Sequence, residues 1–287
     1  MCLRYSLPRD GASDMSDVLR AKEKSLQDLL SGMGAAVIAY SGGVDSAYLS
    51  AVASEVLGDG ALCVTAVSPS LARRELTAAT ALADRFGWNH RTVGTHEVGR
   101  EEYARNNSDR CYWCKTELFD VMEPIAAQRD AVIMVGTNLD DLGDFRPGQR
   151  AAAERGVRAP LVEVSLSKAE VRALSARRGL PTADKPASPC LSSRVAYGVR
   201  VTPERLRRID RAEDFVLSLG FTVVRVRDHG ELARIEVPVA DIDRALARRA
   251  EITSHLTGLG WRYITIDLEG FRSGSLNEVL PLPIVRR

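Results

Sequence analysis

The residues that decide the fold are AAVIAYSGGVDSAYLSAVASEVL, positions 35–57. The first six form a short continuous apolar run, which is typical of a strand buried in a parallel sheet. Two glycines follow within SGGVDS at 41–46, and residues 47–57 have the composition of a helix. A strand, a glycine turn and a helix in this order predict the beginning of a βαβ unit.

The same alternation continues along the chain. Apolar runs at 61–67 and 131–137 and a short segment near 90–93 predict further strands, and the patterns at 16–31, 71–87, 111–128 and 167–180 predict helices. Gly87 closes the second of these helices, and Ser167, with Glu170 three positions on, is a candidate cap of the last. These elements predict an α/β fold with a doubly wound parallel sheet. After a connection rich in Pro, Ser and Ala at 180–198, a smaller α+β domain is predicted from a helix at 202–220 with a cap at Thr202, a hairpin at 221–237, a helix at 240–260 and a strand at 261–268.

The composition is that of a globular protein without a strong charge bias. Of the 287 residues, 45% are hydrophobic and 27% are charged, and the formal net charge is +1. No apolar run reaches the ~20 residues that a membrane span needs, and the charge balance gives no reason to expect a nucleic-acid surface. The first residues contain no apolar signal core, so we expect a cytoplasmic protein with an unstructured extension at 1–15, and Met15 is an alternative start.

The glycine loop SGGVDS is a candidate phosphate site. Glycines let the backbone turn tightly and bring N–H groups close to an anion, and the start of the following helix adds to that cradle. The hydroxyl groups at both ends of the loop are further donors, and Asp45 is placed to hold Mg²⁺ against the phosphates. No lysine follows the glycines, so the loop differs from the Gly-Lys-Ser/Thr type. The candidate ligands of a phosphate group are therefore Ser41, Gly42, Gly43, Val44, Asp45 and Ser46.

A second candidate lies in the loop GTNLDDLGDFRPG at 136–148, after a buried strand. In open α/β sheets the active crevice lies beyond the carboxyl ends of the strands, so we expect Asp140, Asp141 and Asp144 near the phosphate cradle. Arg146 is a candidate partner for a phosphate or an acyl-adenylate. The alternative is a solvated turn with an Asp cap.

The segment RCYWCK places Cys111 and Cys114 three positions apart, which fits a zinc knuckle, a redox pair, a disulfide or part of an iron–sulfur site. A cytoplasmic location disfavours a disulfide. Cys190 offers a third thiol if the fold brings it near, whereas Cys63 lies in an apolar strand and is expected in the core. A structural zinc site needs four ligands, but only one cysteine pair is present. Three thiolates would suit a 4Fe–4S cluster with one iron left open.

Several strings together resemble the LarE family of ATP-dependent pyridinium-3,5-biscarboxylate mononucleotide sulfurtransferases: SGGVDS, RCYWCK, GTNLDDLGDFRPG, KPASPCLSSRVAYG, LARIEV and GFRSGSLNEVL. The glycine loop is shared across the ATP pyrophosphatase (PP-loop) superfamily, but the later strings are more specific to the LarE family. The resemblance implies an ATP pyrophosphatase domain at 16–190 and a C-terminal domain for substrate binding and oligomerisation at 191–287. It also implies a homo-oligomer that serves the nickel-pincer nucleotide cofactor of lactate racemase and related enzymes.

The resemblance implies a mechanism in which ATP and Mg²⁺ bind at the glycine loop. A carboxylate of pyridinium-3,5-biscarboxylic acid mononucleotide attacks the α-phosphate, pyrophosphate leaves, and sulfur converts the acyl-adenylate to a thiocarboxylate. LarE proteins are of two kinds. In one, the cysteine at the position of Cys190 gives up its own sulfur; in the other, it joins two further cysteines to hold a 4Fe–4S cluster that passes on sulfide from an unknown source. Cys111 and Cys114 favour the cluster kind here.

Three arginines are candidates for the anionic groups of the substrate. Arg194 follows the third cysteine, and Arg225 and Arg227 alternate on one face of the hairpin. By resemblance the two hairpin residues fall where the family binds substrate phosphate; the alternative is a pair of surface arginines. Glu213 and Glu236 are candidate metal ligands, although isolated glutamates mostly face solvent.

Other functions share some of these features. A tRNA thiolation enzyme of the same superfamily would combine the loop with a cluster, but it would show a basic RNA-binding surface. An amidotransferase-type ligase such as NAD synthetase would need no cysteine trio. A module that binds ATP without turnover would need neither the cysteines nor the dense acidic loop.

Overall fold

A computed structural model describes residues 11–143, 147–272 and 274–276 of the chain. The predicted helices at 16–31, 71–87, 111–128, 167–180 and 202–220 all occur. Among the described residues, none of the helices has the length and apolar character needed to cross a bilayer. The helices are α1 (Gly11–Ser31), α2 (Val44–Leu57), α3 (Arg73–Phe86), α4 (Glu101–Ala104), α5 (Arg110–Arg129), α6 (Pro147–Glu154), α7 (Pro160–Glu163), α8 (Lys168–Arg177), α9 (Pro203–Ser218), α10 (Ile242–Ala247) and α11 (Arg249–Gly258).

Helix α1 begins earlier than the sequence suggests. Residues 11–15, which are expected from the sequence to belong to the N-terminal extension, are already helical, and the first ten residues lie outside the described part of the chain. The assignment of two domains at 16–190 and 191–287 stays a prediction.

The central sheet is parallel throughout, as predicted. Its strands are β1 (Ala36–Ala39), β2 (Ala61–Val67), β3 (His90–Gly94) and β4 (Val132–Val135), in the order β3-β2-β1-β4. In the register of the sheet, Ile38 of β1 pairs with Cys63 of β2 and with Met134 of β4. These three side chains are fully buried, so the short apolar runs form the middle of the domain.

Both faces of the sheet are covered by helices, because successive side chains of a strand point to opposite faces. Ile38 packs into a cluster with residues of α1, α2, α3, α7 and α8. Its neighbour Val37 packs on the other side with residues of α5 and α6. The fold is therefore a doubly wound α/β sheet. The reversal of strand order between β2 and β4 places the carboxyl end of β1 at a switch point, where α/β proteins bind ligands.

A second, smaller sheet follows in the C-terminal part. Strands β5 (Arg225–Asp228) and β6 (Leu232–Glu236) form the predicted antiparallel hairpin, and β7 (Tyr263–Ile266) pairs with β6 in parallel. Helices α9 and α11 pack on this sheet around Trp261 and Leu206, which are buried. The single helix predicted at 240–260 is wrong, since α10 ends at Ala247 and α11 begins at Arg249.

Ion pairs join the two parts of the molecule. Arg74 on α3 contacts Glu213 on α9 (Arg74 Nη2 to Glu213 Oε2, 2.6 Å) and also Asp214 (Nη1 to Oδ1, 3.1 Å). The neighbouring Arg73 contacts Asp210. Because Glu213 is fully buried, these contacts fix α9 against the domain that carries the glycine loop.

Candidate functional site

The glycine loop connects the end of β1 to the start of α2. Gly42 has φ +70°, and a Cβ atom there would lie 2.8 Å from the Cβ of Ala79. Only glycine accepts both the left-handed backbone and this close approach. Gly43 is extended (φ −81°, ψ 165°) and is the N-cap of α2. The loop therefore turns so that the helix begins next to the sheet edge.

The hydroxyl groups of the loop bond to the loop itself. Ser46 Oγ accepts from the backbone N–H of Ser41 (3.2 Å), donates to the carbonyl of Gly43 (3.2 Å) and lies 3.1 Å from Ser41 Oγ. Val44 is buried in the core, so only its backbone is available to an anion. The six predicted ATP ligands thus form one compact turn, and their contacts with ATP stay a prediction.

Asp45 is held by residues from two other loops. Its carboxylate pairs with Lys168 at the start of α8 and accepts a bond from Asn138 Nδ2 (3.2 Å). Neither Lys168 nor Asn138 was predicted from the sequence, although the Ser167 cap before Lys168 was. In this structure Asp45 pairs with the ammonium group of Lys168, and the magnesium role proposed for Asp45 stays a prediction.

The acidic loop after β4 lies beside the glycine loop, as expected. A Cβ atom on Gly136 would lie 2.8 Å from the backbone nitrogen of Ser46, so this close contact requires a glycine. Asp140 accepts a bond from the backbone N–H of Lys168, and Asp141 accepts one from Asn138 (3.0 Å). Asp144 and Arg146 lie outside the described residues.

Lys185 links the glycine loop to the segment that carries Cys190. Its Nζ donates to the carbonyl of Gly42 (3.0 Å) and pairs with Glu75 of α3 (2.7 Å). Burial acts to raise the pKa of Glu75, but the bond and charge of Lys185 outweigh it, so that pKa is lowered. With Lys168, this places two ammonium groups around the turn where phosphates are expected. Lys185 was not predicted from the sequence, because only the fold brings it to the loop.

The three candidate thiols are electrostatic neighbours. Burial is the main reason why the pKa of Cys114 rises to about 12, and the charge of Cys190 raises it further. The pKa of Cys111 is also raised, by burial and by Cys190, while Arg110 acts to lower it. The fold therefore brings Cys190 into the surroundings of both helix cysteines, although 76 positions separate it from Cys114 in the chain. Cys63 is buried in the core, as predicted.

The chemical type of the three side chains suits an iron–sulfur cluster, since Cys111, Cys114 and Cys190 are all soft sulfur ligands in one neighbourhood. Within the residues that the structure describes, however, no three His, Cys, Asp or Glu side chains are arranged to hold a metal ion. A cluster on Cys111, Cys114 and Cys190 stays a prediction.

The predicted arginines are buried rather than exposed. Arg194 pairs with Glu213 (Nε to Oε1, 3.0 Å) and donates to the carbonyl of Cys190 (3.1 Å), so it fixes the backbone beside the third thiol. Glu213 and Glu236 are also fully buried, and the expectation that they face solvent is wrong. The cause is pairing with arginines that lie elsewhere in the sequence.

The two hairpin arginines face the Cys190 segment. Arg225 donates to the carbonyl of Ala187 (3.1 Å), and Arg227 donates to that of Ser193 (3.1 Å) and to Glu236 (2.6 Å). Burial, followed by the charge of Arg194, lowers the pKa of Arg225 to about 10. The surface alternative is thereby excluded for both residues, and their contact with substrate stays a prediction.

Comparison with known proteins agrees with this architecture. No model of a known protein family matches the chain. An uncharacterized protein of Synechocystis sp. is 46% identical over 266 residues, which cover 92% of this chain and 99% of the relative. The pyridinium-3,5-bisthiocarboxylic acid mononucleotide synthase of Lactiplantibacillus plantarum is 36% identical over 264 residues, covering 91% of this chain and 96% of that protein. The chain belongs to the LarE family. An uncharacterized protein of Methanocaldococcus jannaschii is 29% identical over 238 residues, 83% of this chain and 90% of the relative.

Proposed function

We propose that this LarE protein is an ATP-dependent sulfurtransferase. It would adenylate the carboxylates of pyridinium-3,5-biscarboxylic acid mononucleotide and convert them to thiocarboxylates, with Cys111, Cys114 and Cys190 delivering the sulfur. One observation carries the proposal: the segment 185–194 contacts both sites. Lys185 bonds to Gly42 in the glycine loop, and Ser192, two residues after Cys190, accepts a bond from Arg110, the residue before Cys111.

In the adenylation step, the backbone of residues 41–46 and the start of α2 hold the phosphates of ATP. Lys168 and Lys185 supply positive charge where negative charge develops on the leaving pyrophosphate, which lowers the barrier to attack at the α-phosphorus. A substrate carboxylate oxygen forms the new P–O bond, and the bond to pyrophosphate breaks. Asp45 holds Lys168 in place, and its carboxylate would be a ligand of Mg²⁺, which would supply further positive charge to the phosphates.

In the transfer step, a sulfur nucleophile attacks the carbonyl carbon of the acyl-adenylate. AMP leaves with the C–O bonding pair, and a thiocarboxylate remains. A 4Fe–4S cluster, when bound, would supply this sulfur as sulfide. Otherwise the Cys190 thiolate would form a thioester, and β-elimination would then break its Cβ–S bond, which leaves the thiocarboxylate and a dehydroalanine at position 190. Arg194 and Arg227 hold the backbone at Cys190 and Ser193, and so keep the third thiol in place.

The test is anaerobic purification followed by iron and sulfide analysis, an absorption spectrum, and a single turnover with ATP, Mg²⁺ and the substrate. We expect an iron-containing protein that releases pyrophosphate and forms a thiocarboxylate by mass spectrometry. Cys111→Ala should lose the iron, while the buried control Cys63→Ala should keep both the iron and the transfer. If the protein contains no iron and Cys190 loses the mass of hydrogen sulfide, Cys190 itself is the sulfur donor and the cluster mechanism is wrong. No pyrophosphate release with this substrate would overturn the proposal.

A further inference from the structure

Arg110 is a buried cation that has no carboxylate partner in the described part of the chain. It precedes Cys111 at the start of α5, and its exposed fraction is 7%. Among the described residues it forms no ion pair with an acidic side chain, whereas two other arginines buried at this site, Arg194 and Arg227, pair with Glu213 and Glu236. An uncompensated buried charge is costly, so a group of opposite charge is expected close by.

The hydrogen bonds of Arg110 hold two parts of the chain together. Its Nη1 donates to the carbonyl of Ser192 (2.9 Å), two residues after Cys190, and to the side chain of Asn106. Asn106 has φ 60°, a left-handed conformation that asparagine adopts more readily than other non-glycine residues, and it is fully buried. Its Nδ2 donates to the carbonyls of Ala196 (2.8 Å) and Val199 (3.0 Å). Arg110 and Asn106 therefore clamp the segment after Cys190 onto the turn that begins α5.

The guanidinium lies at the candidate sulfur site, because Arg110 directly precedes Cys111 and its Nη1 bonds to the carbonyl of Ser192, two residues after Cys190. The thiols of Cys111 and Cys190 are candidate cluster ligands, and they carry negative charge when they are deprotonated or bind a metal. The missing counter-charge and the candidate sulfur site thus coincide.

We propose that Arg110 is a positioning residue of the three-cysteine site, which fixes the Cys190 segment against α5 and balances the negative charge of bound sulfur ligands. The positioning role does not depend on the cluster, whereas the charge role rests on the function proposed above. The two are tested by separate measurements.

Positioning is tested on the metal-free protein with dibromobimane, which links two thiols only when they lie side by side. In the wild type we expect links from Cys190 to Cys111 or Cys114, identified by mass spectrometry of the digested protein. Loss of a charged hydrogen bond predicts about a tenfold lower yield in Arg110→Gln. The control is Arg105→Gln, an exposed arginine that pairs with Glu101. An unchanged yield in folded Arg110→Gln would overturn the positioning role.

The charge role is tested by the midpoint potential of the reconstituted protein. Reduction adds negative charge, which a nearby cation stabilises. Arg110→Gln should therefore shift the potential to more negative values, and Arg110→Lys, which keeps the charge, should restore it towards that of the wild type. Equal potentials in all three proteins would overturn the charge role. If the wild type binds no iron, both the cluster and the charge role of Arg110 are wrong. The positioning role is then tested by the dibromobimane yield alone.

Discussion

Gly42 is the residue on which the shape of the phosphate turn depends most directly. Its φ is +70°, and a Cβ atom at this position would lie only 2.8 Å from the Cβ of Ala79, which leaves no room for a side chain. We expect Gly42→Ala to lower the free energy of unfolding by about 1–3 kcal/mol, measured by urea denaturation. Gly43→Ala is the matched control, because its backbone is extended and its nearest contact would be an ordinary 3.5 Å. Equal stability of Gly42→Ala and the wild type would contradict this account of the turn.

Glu75 gives the site a pH dependence whose sign follows from its lowered pKa. The folded pKa lies below the ordinary value of 4.5, so the ion pair with Lys185 stabilises the protein above that pH. The contribution is lost as the pH falls through the folded pKa. We expect Glu75→Gln to reduce the acid-induced fall in unfolding free energy, measured in urea series from neutral pH to pH below 4.5.

The control for this measurement is Glu102→Gln, on the exposed side of α4. It should reproduce the pH dependence of the wild type. If Glu75→Gln and Glu102→Gln gave the same curve, the Lys185 pair would not be a source of acid sensitivity, and the link between the Cys190 segment and α3 would have to rest on other contacts.

At the scale of elements, the cap of α8 connects stability to the nucleotide site. Ser167 accepts from the backbone of Glu170, whose carboxylate accepts from the backbone of Ser167, which is the predicted capping box. Since Lys168 follows directly, we expect Ser167→Ala to cost about 1 kcal/mol of stability and also to slow ATP–pyrophosphate exchange. Thr202→Ala, at the predicted cap of α9, should cost a similar amount and leave exchange unchanged. Parallel losses of exchange in both variants would contradict the link through Lys168.

The elements themselves were predictable because their signals are local. Apolar runs and caps such as Ser167, Thr202 and Gly87 lie next to the structure they specify, and the structure confirms them. The neighbours of the site were not predictable in this way. Lys185 and Asn138 resemble ordinary polar loop residues until the fold brings them to the glycine turn.

The burial of charged side chains was even less predictable from the sequence. A glutamate such as Glu213 is expected at the surface, yet it is fully buried because Arg74 and Arg194 reach it from other parts of the chain. A single sequence contains no local trace of such a pairing. What it did contain was the identity of the three cysteines, and the fold brings them into one neighbourhood.

At the scale of the whole molecule, the site depends on contact between its two parts, because the Cys190 segment lies between the glycine loop and the β5–β6 hairpin. Arg74 joins the two parts through an ion pair, with a quarter of its side chain exposed and a fully buried partner in Glu213. We expect Arg74→Ala to lower the unfolding free energy by about 1–3 kcal/mol, since a charged hydrogen bond to a buried carboxylate is lost. Hydrogen exchange should rise in α3, α9 and the segment 185–194 together.

The neighbouring Arg73 provides the control for Arg74→Ala, because its replacement also removes a positive charge from α3. It also bonds to α9, through Asp210, but its side chain is 72% exposed, and solvent screens such pairs strongly. Arg73→Ala should therefore change stability less than Arg74→Ala and leave exchange in 185–194 near that of the wild type. If Arg74→Ala loosened α3 and α9 but not the Cys190 segment, that segment would be held by Lys185, Arg110 and the hairpin arginines alone, and contact between the two helices would not control the position of the third thiol.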